Sequence, residues 1–391
     1  MVAALEGTVA IDASGHVAGP YAGSLLGDLG CEVIKVELPG GDPARGQNSR
    51  HPGYSPTFQV LNRNKKSLTL NLREEQGRAI LRRLLEKADI FIENFRPKSR
   101  KGLGLDYERV AEINPRLIHC SITAFGQSGP YEDRVGFEST GQALSGMLSL
   151  VTDLKSPRFG GLSVAAHATG LFAVYGILAA VIARGTTGKG QFVDASLLQA
   201  SMGFIESHFA EFLNGGAPVT PGNFQKGRLY CVLAGDGTPL AVHLSAHQKS
   251  WEALTRVVGR GDLLANTRFA TYKDRAENHE EILMILQEVF QKKPRADWLK
   301  LLDEADVSNA PIYNAGEVFE DAQIKHLGLP QEIRHPVRGV SKLIGNGVNL
   351  SDTPARFLRA APLLGENTDE ILADLGFDEE SIETLRVDGV V

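Results

Sequence analysis

The chain has 391 residues, a net charge of -6, 42% hydrophobic residues and 23% charged residues. That length buries a large core and predicts more than one domain. The acidic balance speaks against a nucleic-acid surface, and the basic stretch 63–66 is too short to form one. Three widely spaced cysteines, Cys31, Cys120 and Cys231, give neither a zinc pattern nor a disulfide framework, so no metal site is expected and a reducing, cytoplasmic setting is. The first residues carry no basic n-region and an early Glu6, so no signal peptide is expected. The longest apolar run, 171–182, is too short to span a bilayer, so no membrane partner is expected.

In chain order, residues 8–13 read as a buried strand. A glycine-bearing loop follows, and Pro20 suits the first turn of a helix that Gly30 stops. Residues 31–38 form the second strand, giving a βαβ unit with a right-handed crossover. Residues 67–72 read as a third strand, and 73–88 as a helix with Ile80, Leu81, Leu84 and Leu85 on one face. Fourth and fifth strands follow at 89–95 and 116–123. The alternation predicts an α/β fold, a Rossmann-like doubly wound parallel sheet. An apolar helix is expected at about 165–183, then a short strand at 192–194 and another helix. The pattern changes after Leu213, where 214–226 is rich in Gly and Pro and reads as a linker. Two strands around Asp236-Gly237 form a hairpin, and helices are expected at about 248–258, 278–291 and 296–304. Short strands and two short helices, around Thr368 and Glu380, close the chain. The expected domains are therefore 1–213 (large), 214–226 (linker), 227–325 (small, α+β) and 326–391, a return linker whose C-terminal segment packs on the large domain.

Several collinear motifs carry a resemblance: AGPYAGSLLGDLGCEVIKVELPGGDPAR, LNRNKKSLTLNL, IFIENFRPKSRKGLGLDYERVAEINPRLIHCSITAFGQSGPYEDRVGF and RGTTGKGQFVDASLL. Over nearly the whole chain the sequence resembles the class III CoA-transferases, a family with related racemases. The resemblance implies two domains joined by two linkers, and two chains interlocked as a dimer. It also implies chemistry in which an aspartate attacks an acyl-CoA thioester, forms a mixed anhydride and passes coenzyme A to another carboxylate. That aspartate stands four residues before the glycine matching Gly170, and here the position is Ala166.

Carried over residue by residue, the resemblance places coenzyme A against Val17, Ala18, Lys65, Asn94 and Phe95, and puts Glu138 and Gln142 on a helix lining the acyl pocket. Lys65 taken alone is equally a solvated lysine at a strand start, and Glu138 a solvated helix-face glutamate. Asn94 and Phe95 sit at the end of a parallel strand, where such sheets bind ligands. Gly15, Leu38 and Gly102 stand where family members commonly carry cations. His167 neighbours Ala166, but adjacent helical residues point about 100° apart, so it is expected to be structural. Phe137 replaces the histidine that the racemase branch uses as base. Three alternatives follow. The chain is the non-catalytic partner of a paralogous subunit that bears the aspartate, as in heteromeric benzylsuccinate transferases. It is an active homodimeric transferase or CoA-dependent lyase using Glu138 or another carboxylate. Or it is an acyl-CoA-binding protein without turnover.

Overall fold

The computed structural model describes residues 2–47, 55–159, 161–216, 226–245, 248–337 and 339–391. Two compact units emerge. Unit 1 comprises Met1–Leu148, Ser156–Glu206 and Gly328–Val391; unit 2 comprises Ser149–Lys155 and Ser207–Leu327. Most of the expected 214–226 linker lies outside the described residues.

Unit 1 is built on six parallel strands, β1 (Val9–Asp12), β2 (Glu32–Glu37), β3 (Lys65–Thr69), β4 (Ile90–Glu93), β5 (Ile118–Thr123) and β6 (Phe192–Ser196). Their spatial order is β3-β2-β1-β4-β5-β6. β1 therefore pairs with β2 on one side and β4 on the other, with Ile11 opposite Ile34 and Ala10 opposite Ile90. The order reverses between β1 and β4, which opens a crevice beyond their C-terminal ends.

Successive strand residues point to opposite faces, and both faces are covered. Ile11, Ile34 and Phe91 pack against the helix α3 (Glu75–Lys87) through Ile80, Leu81 and Leu84, and against the last two helices, Thr368–Asp374 and Glu379–Val387, through Ile371, Leu372 and Leu385. Ala10, Val33, Ile90 and Ile92 face α1 (Ala18–Asp28) and α7 (Val164–Thr187), meeting Ala22, Leu26, Ala173 and Ile177. Burial on both sides explains why these strands read as unbroken apolar runs. Each fully buried Leu or Ile contributes about 1.5–3 kcal/mol.

The structure departs from the sequence reading in a few places. β3 begins at Lys65, two residues early, because parallel pairing with Val33 and Ile34 extends it. α7 runs 24 residues, longer than the expected 165–183. By length and composition it could cross a membrane, but half of its apolar stretch is buried within the protein. Arg184 in its last turn binds the Asp89 carboxylate at 3.0 Å. The short helices α2 (Pro56–Asn62), α4 (Pro97–Gly102) and α5 (Tyr107–Ile113) were not anticipated; one or two turns show too little periodicity to register. α6 (Glu138–Leu144) precedes α7, and α8 (Leu197–Phe204) follows β6.

Unit 2 holds a three-stranded antiparallel sheet, Leu229–Leu233, Pro239–His243 and Asn309–Pro311. Its hairpin turns at Asp236-Gly237, with Gly237 in the left-handed region (φ 76°) and the Asp236 carboxylate accepting from Thr238. Helices Gln248–Val257, His279–Phe290 and Arg295–Glu304 pack on it around Tyr230, Leu240, Trp251 and Leu286.

Candidate active site

The crevice is shaped by a loop held from three sides. Asp12, the last residue of β1, accepts from the backbone N–H and the hydroxyl of Ser14. The Lys35 ammonium donates to the Ser14 carbonyl at 2.9 Å and to the Asp42 carboxylate at 3.0 Å. Asn94, just past β4, clamps Gly15: its Oδ1 accepts from the Gly15 N–H at 3.0 Å, and its Nδ2 donates to the Gly15 carbonyl at 2.9 Å. So constrained, the backbone carries His16 in the left-handed region at φ 67°, a conformation that persists only where the surroundings over-determine it. The next loop, 94–97, is tied down by Glu93, whose carboxylate accepts from the Phe95 N–H at 2.7 Å.

α7 reaches the crevice with its N-terminal turn. Gly170 makes the approach possible, because a Cβ there would lie 2.8 Å from the Ala18 carbonyl oxygen on α1. The first N–H groups of α7 have no partner within the helix. Glu138 supplies one: its carboxylate accepts from the Ala165 N–H at 2.9 Å and the Ala166 N–H at 2.6 Å. A negative charge at this end also complements the helix dipole. Gln142, one turn along α6, donates to the Glu138 carboxylate and to the Leu162 carbonyl.

These pieces enclose a cavity of about 370 Å³. Val17, Ala18, Asn94 and Phe95, all expected from the sequence, line it together with Glu138 and Ala166. Three further lining residues, His16, Arg96 and Arg134, were not anticipated. Arg96 directly follows the expected Asn94-Phe95 pair, a signal that was available. Gly15 also stands in the wall, whereas Leu38 and Gly102 do not. Gln142 acts behind the wall, through Glu138.

Lys65 corrects an expectation. It does not line the cavity but is fully buried, donating to Asp12 at 2.7 Å, the Pro20 carbonyl at 2.8 Å and Asn62 at 2.9 Å. Its three donors are used, leaving none for a phosphate. Burial pushes the ammonium down to about 8, although Asp12 opposes this. His167 is not among the lining residues: its Nδ1–H donates to the Ser163 carbonyl at 2.6 Å, and the ring meets Tyr21 edge-on at 4.9 Å. Cys120 is fully buried, and burial raises its thiol far above the usual range.

The family model for CoA-transferase family III matches residues 5–368. The chain belongs to that family. Succinyl-CoA:glutarate CoA-transferase of Homo sapiens is 33% identical over 392 residues, covering 99% of this chain and 90% of that protein. Formyl-CoA:oxalate CoA-transferase of Streptomyces avermitilis is 32% identical over 411 residues, covering 100% of each. A CaiB/BaiF family protein from Brucella suis has a similar crystal structure, with TM-score 0.85 and 32% identity over 96% of this chain and 100% of that one. As a family III CoA-transferase homologue the chain keeps the crevice and its loops, while a methyl group stands on the cavity-facing turn of α7.

Proposed function

We propose that the chain takes part in acyl-CoA:carboxylate CoA transfer as the aspartate-lacking subunit of a heteromeric enzyme, paired with a paralogous chain that carries the nucleophile. One observation carries this: Ala166 is the residue that α7 presents to the cavity, and an alkyl group cannot form the acyl anhydride. Glu138, an acid in the same cavity wall, has both carboxylate oxygens engaged by α7 and Gln142. In the pair, the partner's aspartate attacks the thioester carbonyl and expels CoA thiolate. The thiolate then attacks the resulting anhydride, freeing the first carboxylic acid and leaving an enzyme thioester for the acceptor. Val17, Ala18, Asn94 and Phe95 would hold coenzyme A in this chain. The two units would be joined by two linkers, so that the partner chain threads between them. Three free cysteines fit a reducing, cytoplasmic setting.

A second reading has a specific observation in its favour: the Glu138 carboxylate lines the same cavity as Ala166 and could act as nucleophile in a homodimer. One experiment separates the two. The chain is expressed alone and with an aspartate-bearing paralogue, and CoA exchange between acyl-CoA and a carboxylate is measured. Turnover only in the mixture supports the subunit role. Turnover by the chain alone, abolished in Glu138→Gln and accompanied by a Glu138 thioester in mass spectrometry, would establish the second.

A further inference from the structure

The cations on and beside the sheet are mostly spent inside the protein. Lys35 binds Asp42, Arg45 binds Glu37, Lys65 binds Asp12, and Arg100 is shared among Glu93, Ser121 and Gln127. Two arginines in the cavity wall are not. Among the described residues, Arg96 and Arg134 take part in no ion pair, and neither does Glu132, the carboxylate nearest to Arg134 in sequence that lines the cavity. Arg134 is exposed and lies against two aromatic rings. Its guanidinium lies 5.0 Å from the Tyr131 ring centroid and 5.8 Å from that of Phe125, and the Arg134 N–H donates to the Tyr131 carbonyl at 3.0 Å. A guanidinium laid over aromatic faces keeps its in-plane donors free.

The two arginines differ in position. Arg96 extends the loop that begins with Asn94 and Phe95. Arg134 opens the segment that runs through Val135, Gly136 and Phe137 to Glu138, whose carboxylate binds the turn of α7 bearing Ala166. Arg134 is thus joined by a short stretch of chain to the carboxylate that binds the Ala166 N–H, and Phe125, Val135 and Phe137, which line the same cavity, are apolar.

We infer that Arg134 selects the acyl group, holding the distal carboxylate of a dicarboxylic acyl chain while the apolar wall packs its methylenes. This rests on the cavity being the acyl-CoA site. A guanidinium fork matches a carboxylate with two parallel hydrogen bonds. An uncharged acyl chain would leave the fork without an anion.

Because Ala166 leaves the thioester intact, binding can be measured with true acyl-CoA esters. The probes are glutaryl-CoA, pentanoyl-CoA of the same carbon count, and free CoA, titrated by calorimetry into the full chain and its Arg134→Gln and Arg96→Gln variants. The wild type should favour glutaryl-CoA over pentanoyl-CoA by about tenfold or more. Arg134→Gln should erase that preference while leaving the affinity for free CoA within about twofold, and Arg96→Gln should retain it. Equal affinity for the two esters in the wild type, a preference surviving in Arg134→Gln, or its loss in Arg96→Gln alone would overturn the inference. If CoA binds without preference, only this inference falls. If no CoA compound binds, the acyl-CoA site itself falls, and this inference with it.

Discussion

Position 166 illustrates how one side chain decides chemistry without disturbing structure. Ala166 is a good helix former in the first turn of α7, and Glu138 already satisfies its N–H. Restoring the carboxylate is therefore structurally mild, since acidic groups are favoured at a helix N-terminus. Yet it places a second negative charge near Glu138, and Gly15 still offers the cavity no side chain. Ala166→Asp expressed alone is expected to fold with unchanged stability, within about 1 kcal/mol, and to transfer CoA at about 1% or less of the rate of an aspartate-bearing relative, a loss of about 3 kcal/mol in transition-state stabilisation. Parallel assays with one donor and one acceptor check this; a rate equal to the relative's would show that the methyl is the sole defect.

At the scale of elements, the crossing of α1 and α7 sets where that turn lies. Gly→Ala inside a helix ordinarily gains about 0.5–1 kcal/mol. At Gly170 the added Cβ would meet a backbone oxygen at 2.8 Å and the Tyr21 ring at 2.9 Å, and backbone cannot step aside as a side-chain end can. Gly170→Ala is therefore expected to destabilise by about 1–3 kcal/mol, read from the urea midpoint, and to weaken CoA binding through displacement of the α7 turn. The buried pair of β1 and β3 gives a second test. Asp12 titrates below its usual value: burial would raise it, but Lys65 and then Lys35 outweigh burial. Its stabilisation is complete above the ordinary aspartate range and is lost as pH falls through the lower folded value. Lys65→Met should cost about 3–5 kcal/mol at neutral pH by stranding Asp12, and the loss should shrink as acid protonates the stranded carboxyl. Asp12→Leu/Lys65→Met should recover most of the loss. A Lys65→Met protein of normal stability but poor CoA affinity would restore the coenzyme A contact that the resemblance implied.

Those two elements also show what could be read beforehand. The sheet was legible because strands buried on both faces have to be apolar throughout. The loops after β1 and β4 were legible because motifs of the resemblance run through them and because parallel sheets bind ligands at strand ends. Lys65 was misjudged because nothing local to β3 announces Asp12, 53 positions earlier. Glu138 was found, but its function as the cap of α7 depends on a partner 27 and 28 positions later. Arg134 lies within one of the motifs that carry the resemblance, but its significance comes only from the pairing of its neighbours.

At the scale of the whole molecule, apolar side chains remain uncovered in unit 1. Leu171, Phe172, Tyr175 and Ile182 of α7 and Met202 and Phe204 of α8 are all exposed. Exposed apolar surface, where contiguous, marks an interaction site. The expectation is an obligate two-chain assembly of about 84 kDa, twice the 42.2 kDa chain, whose interface exceeds about 2,000 Å². Light scattering on the eluting peak, repeated after dilution to nanomolar concentration, reads this directly. A stable monomer at micromolar concentration would exclude it. Co-expression with the paralogue should convert the population to a one-to-one pair.

The division of unit 1 into separated stretches of chain has a consequence for synthesis. The open edge of the sheet, β3, is closed by the far end of the polypeptide: Asn367 and Thr368 accept from Ser67 and Thr69, and the Val390 carbonyl accepts from the Asn71 N–H. Until the final helices leave the ribosome, this strand has an unpaired rim and the α3 face of the sheet lacks part of its cover. At about 5–20 residues per second, the nascent chain waits tens of seconds in that state, while unit 2 is completed from one nearly continuous stretch. Birth order thus runs against the architecture: the inserted unit can mature first, and the unit that holds the cavity is sealed only by residues made after it.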